Sequence, residues 1–100
     1  MNEATKLSYA CRYFRCLYGR WPSSIREIES RTEGIDFGVF LGKAFLVPRP
    51  DDTEEITVYD GVCYRMVIAV PVAFPITDQM RAEARKAEFK IRIDRLVSND

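Results

Sequence analysis

The residues with the greatest capacity for covalent chemistry in this sequence are its three cysteines, Cys11, Cys16 and Cys63. A cysteine nucleophile needs a nearby base or a positive environment to form its thiolate, and the usual base is histidine, which is absent from the chain. Structural zinc needs a complete set of cysteine or histidine ligands, which these irregular spacings do not supply. We therefore expect no catalytic cysteine, no metal site and no bound cofactor. Cys63 is expected to pack as a small apolar side chain.

An acidic run near the middle of the chain is the second candidate for chemistry. Carboxylates are the ligands that divalent cations prefer, and paired carboxylates act as acid and base in hydrolases. The spacing matches no calcium-binding loop, and nothing in the sequence selects two acids that face one cleft. The run over residues 48–55, with its two prolines, is instead typical of a solvated loop. The acids are Asp51, Asp52, Glu54 and Glu55.

The most informative polar residues belong to a predicted helix over residues 3–19. Apolar side chains recur there every three or four residues, which indicates a helix with one buried face. A rotation of about 100° per residue sets a polar face opposite that stripe and places tyrosines beside it. The stripe comprises Leu7, Ala10, Cys11, Phe14, Leu17 and Tyr18. The polar face comprises Thr5, Ser8, Arg12 and Arg15, flanked by Tyr9, Tyr13, Cys16 and Arg20.

Tyrosines beside arginines on a helix have three interpretations. They are common anchors of protein interfaces, which makes Tyr9, Arg12, Tyr13 and Arg20 a candidate protein-binding surface. Alternatively, Lys6, Arg12, Arg15 and Arg20 bind phosphates while the tyrosines stack on bases. In the third interpretation the tyrosines only widen the buried stripe, and the arginine stems lie along them.

Charge and composition limit these choices. The chain has 100 residues, 47% of them hydrophobic, so one domain spanning residues 1–100 is expected. Fifteen basic residues balance fifteen acidic ones, which disfavours a dedicated nucleic-acid binder or a polybasic membrane binder. No secretory signal or membrane-spanning segment is predicted, because the longest apolar stretch, residues 66–74, contains Pro71. The chain has an odd number of cysteines, which favours reduced thiols and therefore a cytoplasmic protein.

A corner follows the first helix. Gly19 is a natural helix stop and Pro22 cannot continue the helix, while Ser24 and Glu27 form a capping box for a second helix over residues 25–32. Residues 13–28 resemble a segment found in type II pseudopilins and in other bacterial domains, in which a long helix ends at a glycine and a proline corner precedes a capped short helix. The resemblance implies this local architecture and no function.

The remainder of the chain favours strands. Residues 35–47 are predicted to be mostly strand. Asp60-Gly61 suits the tight turn of a hairpin between residues 56–59 and 62–70, with Tyr59 opposite Val62, Thr57 opposite Tyr64 and Val58 opposite Cys63. The second hairpin strand is apolar on both faces and is predicted to be central. A third helix over residues 78–88 precedes a strand that begins at Phe89, with a continued helix as the alternative.

These elements predict an α+β fold, in which an N-terminal helical pair packs on a three- or four-stranded antiparallel sheet and a third helix precedes the last strand. The functional hypothesis is a small non-enzymatic cytosolic module that binds another protein or itself, through the tyrosine flank or an exposed sheet edge. Weak nucleic-acid binding through the first helix is the alternative. An enzyme whose carboxylate or tyrosine site has no local motif is the third hypothesis.

Overall fold

The computed structural model describes residues 2–40, 42–60, 62–72, 74–86 and 90–93. Helices α1 and α2 are followed by a short strand β1, a single 3-10 turn, strands β2 to β4, helix α3 and a short strand β5. The α+β class is thereby confirmed. The bounds are α1 Glu3–Tyr18, α2 Ile25–Ser30, β1 Thr32–Glu33, the 3-10 turn Phe37–Val39, β2 Ala44–Pro48, β3 Thr53–Asp60, β4 Val62–Ala69, α3 Asp78–Ala84 and β5 Ile91–Arg92.

The N-terminal helical pair is built as its sequence predicts. The Asn2 side chain caps α1 by accepting from the Thr5 amide at 2.8 Å. Gly19 ends the helix in the left-handed region, at φ 76°, where a side chain would be strained. Ser24 caps α2 by accepting from the Glu27 amide at 3.2 Å. The helix, the glycine stop and the capped short helix predicted for this segment are therefore all present.

Strands β2, β3 and β4 form an antiparallel sheet with β3 at its centre. The prediction that the second hairpin strand is central is wrong, because β4 lies at an edge. The predicted register is also wrong by one residue, since Tyr59 pairs with Cys63 and Val58 pairs with Tyr64. The core explains the difference. The observed register, unlike the predicted one, places the buried Ile56 and Ile68 on the same face of the sheet, and this burial overrides the turn preference of Asp60-Gly61.

The last strand does not join this sheet. β5 pairs in parallel with β1, which the sequence predicted as the end of the second helix, and α2 consequently stops at Ser30. The alternation that predicted a strand is confirmed at Ile91 and Ile93, which are buried, while Arg92 between them is exposed. The predicted strand's remaining positions, 89 and those beyond 93, lie outside the described residues, as do residues 87–88 of the predicted third helix.

Two other segments differ from their predictions. Of the described residues within 35–47, only those from Ala44 onward form a strand, because residues 37–39 form a 3-10 turn capped by the Asp36 side chain. The loop predicted over 48–55 is confined to residues 49–52, since Thr53 already begins β3. Alternation explains the shorter loop, because Glu54 points into the core beside Ile56 while Glu55 points outward.

Helix α1 is the most enclosed element of the fold. Its apolar stripe joins one core cluster with inward side chains of all three sheet strands. Helix α3 and strand β5 contact α1 as well, and Phe74 packs its ring on Tyr13 at 4.3 Å. Every residue of α1 is therefore buried or half-buried. The stripe residues buried in the cluster are Leu7, Ala10, Cys11 and Phe14, and the sheet contributes Leu46, Ile56 and Ile68.

The register of β4 predicts that substitutions at two neighbouring residues lower the free energy of unfolding by very different amounts. Ile68→Ala removes a buried side chain and should lower the free energy of unfolding by about 2–5 kcal/mol. Val67→Ala, at an exposed position, should lower it by less than about 1 kcal/mol. Urea unfolding monitored by circular dichroism measures both. A larger loss at Val67 than at Ile68 would contradict the register.

Candidate functional site

The tyrosine flank of α1 is less exposed than a binding surface requires. Tyr13 is only 2% exposed, and its burial raises the pKa of its hydroxyl. Tyr9 is half-buried, and the Arg12 guanidinium lies 5.6 Å from the centre of its ring. The protein-binding interpretation needs both tyrosines to face solvent, and Tyr13 does not, because the segment containing Phe74 covers it. The interpretation in which tyrosines widen the buried stripe describes Tyr13.

The basic residues proposed for phosphate binding are mostly engaged within the fold. Arg15 holds the Asp52 carboxylate with two hydrogen bonds, of 2.8 and 3.0 Å. Arg20 holds Glu27 in the same way, at 2.7 and 3.1 Å. These contacts hold the carboxyl pKa of both acids below its usual value.

The two other basic candidates are also constrained. Lys6 pairs with Glu3 at 3.0 Å. The Arg12 side chain is half-buried, and its Nε atom is buried with no hydrogen-bond partner among the described residues. The four cations therefore do not form an open phosphate-binding row.

The side chains of the acidic run point in different directions. Asp52 accepts from the Trp21 indole at 3.0 Å as well as from Arg15, so it ties the loop to α1 and to the corner after it. Asp51 accepts from the Thr53 hydroxyl, and Glu55 pairs with Arg65 at 3.0 Å on the outer side of the sheet. The acids therefore do not converge on one cation. Within the described part of the chain, no three potential metal ligands come together.

Of the acids whose side chains the structure describes, Glu54 is the one that points into the core. The side chain is fully buried, and neither carboxyl oxygen has a hydrogen-bond partner among the described residues. Burial raises the pKa of Glu54 to about 7, although the nearby Cys11 thiol opposes part of that rise. Arg12, on the same helix as Cys11, contributes a positive charge nearby. Perturbed carboxyls often mark functional sites, but this one is sealed beneath α1 with no access for a substrate.

The cysteines occupy three different environments. Cys11 is buried, and desolvation raises the pKa of its thiol well above its usual value, so it stays a thiol at neutral pH. Desolvation also raises the pKa of the half-buried Cys16. Cys63 is exposed, contrary to the expectation that it packs in the sheet, because its strand lies at the edge and it points to the outer face.

A shallow groove lies between the start of α2 and strand β2. Its volume is about 510 Å³, and apolar side chains of β2 such as Phe45 line it together with Ser23 and Ser24. Arg26 is the one charged residue of this lining. The groove therefore brings together no acid and base that could act as a catalytic pair.

The most distinctive surface is the outer face of the three-stranded sheet, the face turned away from α1. Phe45 is 55% exposed and Tyr59 is 53% exposed, and their rings meet edge to face at 6.5 Å. Val47 and Val67 are also about half exposed, and they flank Glu55 on the strand between them. The ion pair between Glu55 and Arg65 leaves this outer face with balanced charge. We use the term outer face for Phe45, Val47, Thr57, Tyr59, Arg65 and Val67 with Glu55.

Sequence reasoning missed the outer face for a specific reason. Apolar residues on both sides of a strand usually mean that both sides are buried, and β4 was interpreted in that way. Residues 44–48 carry a further signal, because Ala44 and Leu46 are buried while Phe45 and Val47 alternate with them and are exposed. A strand that is apolar on its solvent side is the feature that could have indicated the surface.

No protein-family model, no curated protein and no solved structure gives a significant match to the chain. Among the described residues, no helix combines the length and the apolar character needed to cross a membrane. The site assignment therefore depends on the geometry of this chain.

The burial of α1 predicts different effects for its two flank tyrosines. Tyr13→Ala removes a buried aromatic ring and should lower the free energy of unfolding by about 3 kcal/mol. Tyr9→Ala should cost less than about 1 kcal/mol, since its ring is only partly covered. Chemical unfolding of the two variants checks this. Equal small losses would mean that Tyr13 is exposed after all.

Glu54 predicts that the fold is more stable in mild acid than in mild base. The pKa is about 7 in the folded chain and 4.5 for an unperturbed glutamate, so the folded state retains the proton between these values. The stabilisation from this proton is complete below 4.5, the pKa of Glu54 in the unfolded chain. It is lost as the pH rises through about 7, the pKa of Glu54 in the folded chain. The total loss is at most about 3 kcal/mol.

The test is urea unfolding of wild type and Glu54→Gln between pH 5 and pH 8. Glutamine resembles the protonated acid, so the variant should lack this decline and should be the more stable protein at the upper pH. Glu55→Gln is the matched control, because the Glu55 side chain is part of the outer face and not of the core. A pH dependence that is identical in wild type and Glu54→Gln would contradict the assignment.

Proposed function

We propose that this chain is a small non-enzymatic protein-interaction module of the cytosol, and that its binding surface is the outer face of the sheet. The observation that carries the proposal is the half-exposed cluster of Phe45, Tyr59, Val47 and Val67 on one face. Large apolar side chains gathered on a solvent face are costly unless a partner covers them. Aromatic residues and arginine are also the types most enriched among interface anchors.

The chemistry of the outer face indicates what it binds. The aromatic pair lies beside a single ion pair that neutralises itself, so the surface offers apolar area with little net charge. A protein patch with an apolar centre fits this arrangement. A nucleic acid would need unpaired cations along a track, and most of the basic residues proposed for that role are held by acids of the same chain.

Two further features support the remaining parts of the proposal. Among the described residues, the one carboxyl with a strongly raised pKa, Glu54, has no access to solvent. The groove beside β2 contains no catalytic pair, and both features favour binding over catalysis. Cys11, Cys16 and Cys63 are all free thiols, as is usual in the reducing cytosol.

Site-specific photo-crosslinking in the native cell tests the proposal. A benzophenone amino acid replaces Tyr59 on the outer face or Gln79 on α3, which is the exposed control position. We expect a discrete protein adduct from position 59 and none from position 79. The identified partner should then bind the purified wild-type chain at least about tenfold more tightly than Phe45→Lys, since the lysine places a charge in the apolar centre.

Each of the other outcomes contradicts the proposal. Equal labelling from both positions, or undiminished binding by Phe45→Lys, would remove the outer face as the binding surface. An adduct with nucleic acid would replace the protein by another class of partner. A benzophenone at Tyr9 that gives the discrete adduct instead would move the surface to α1.

A further inference from the structure

The edge of the sheet formed by β4 carries a second inference, which concerns the backbone groups of this strand and not the side chains of the outer face. In the β2–β3 pair, the Arg49 amide donates to the Thr53 carbonyl at 2.9 Å and the Tyr59 amide donates to the Lys43 carbonyl at 2.6 Å. Odd-numbered β3 residues therefore bond with β2. Since hydrogen-bonded and non-bonded pairs alternate, even-numbered β3 residues bond with β4.

This alternation determines which groups of β4 are free. The partners of the even-numbered β3 residues are the even-numbered β4 residues, so the odd-numbered ones direct their amides and carbonyls away from the sheet. Within the described part of the chain, no backbone hydrogen bond from another segment reaches them. The free residues are Cys63, Arg65, Val67 and Ala69.

The β4 edge lacks the devices that normally prevent strand pairing. It is eight residues long and contains no proline and no lysine, and its one charge, Arg65, is paired with Glu55. Val62 is 78% exposed and Tyr64 is 50% exposed. Their side chains lie on the same face of β4 as Ile68, which is buried in the core farther along the strand. The opposite edge, β2, is shorter, ends in Pro48 and has α2 beside it.

We propose that two copies of this chain pair antiparallel through their β4 edges and form one continuous six-stranded sheet, with three strands from each copy. A two-fold axis matches every free donor with a free acceptor, because both edges are identical. The chain has zero net charge, so no long-range repulsion opposes the approach of a second copy.

Charge and hydrogen bonding together select the register. An axis through Arg65 would set Arg65 opposite its own copy, and like charges directly opposite one another are unfavourable. An axis through Met66 instead pairs Arg65 with Val67 and Cys63 with Ala69, so all four free residues are used in both copies.

Sedimentation equilibrium of the full chain tests the pairing directly. We expect a reversible dimer, with twice the 11.6 kDa mass of one chain, at micromolar or higher concentrations. The predicted register places Val67 opposite Arg65 twice in each dimer. Val67→Lys should therefore weaken the dimer by roughly tenfold, and Val67→Glu should not weaken it.

The same two variants have the opposite effect on the single chain. Val67 lies beside Glu55 on β3, so lysine forms a favourable neighbour there and glutamate an unfavourable one. Weaker dimerisation of Val67→Lys can thus not be attributed to loss of folding. A chain that remains monomeric at every concentration overturns the inference, as does a dimer that both variants weaken equally.

Disulfide trapping tests the register independently. In a Cys16→Ser, Cys63→Ser background, Met66→Cys places the new thiol opposite its own copy and should crosslink the dimer on oxidation. Tyr64→Cys is the control, because its two copies lie four residues apart along the paired strands and too far for a disulfide. Preferential crosslinking of Tyr64→Cys would overturn the register. Photo-crosslinking from Tyr59 is a separate measurement, so either proposal can fail alone.

Discussion

The enclosure of helix α1 is the constraint on which the rest of this structure depends. The sheet covers one side of the helix, and the segment around Phe74, helix α3 and strand β5 cover another. A helix that is covered on more than one side cannot also present a broad binding surface. Its arginines are used to hold the fold together, as in the pairing of Arg15 with Asp52. Among the described residues, four of the eight large exposed apolar side chains lie together on the outer face of the sheet instead.

The same enclosure explains the unusual state of Glu54. A carboxyl without a hydrogen-bond partner is costly to bury, and the cost is reduced when the group keeps its proton. Glu54 lies on the strand segment that also positions Asp52, whose carboxylate joins α1, Trp21 and the β2–β3 loop. A buried acid that keeps its proton below about pH 7 and an exposed charged acid therefore lie two residues apart. We therefore expect the packing of α1 on β3 to weaken as the pH rises through about 7.

Local signals in the sequence predicted the helices and the hairpin well. Caps such as Ser24, the stop at Gly19 and the alternation at Ile91 and Ile93 act between near neighbours, so they can be interpreted without the rest of the chain. The pairing of β1 with β5 joins residues far apart in sequence, and two-residue strands leave almost no pattern. The hairpin register failed because burial of Ile56 and Ile68 against a distant helix outweighs the turn preference of Asp60-Gly61.

The candidate site was harder to predict than the fold. An amphipathic pattern shows which side of a helix is most apolar, but it does not show whether a second segment covers the other side. Tyr13 lies outside the apolar stripe and is buried because Phe74 packs on it. For the sheet, apolar side chains on both faces of β4 gave no indication of which face remains in water. The proposed binding surface follows from the position of α1, which makes the opposite face of the sheet the core side.

The most direct test of the account is the solvent exposure of individual side chains in solution. A soluble paramagnetic gadolinium chelate broadens the NMR signals of protons that it can approach. The account predicts strong broadening at Phe45, Val47 and Tyr59 of the monomeric chain, and protection at Ser8, Tyr13 and Phe14. Broadening at Tyr13 that equals the broadening at Tyr59, with Phe45 protected, would contradict it, because α1 would then be the open surface and the sheet face the covered one.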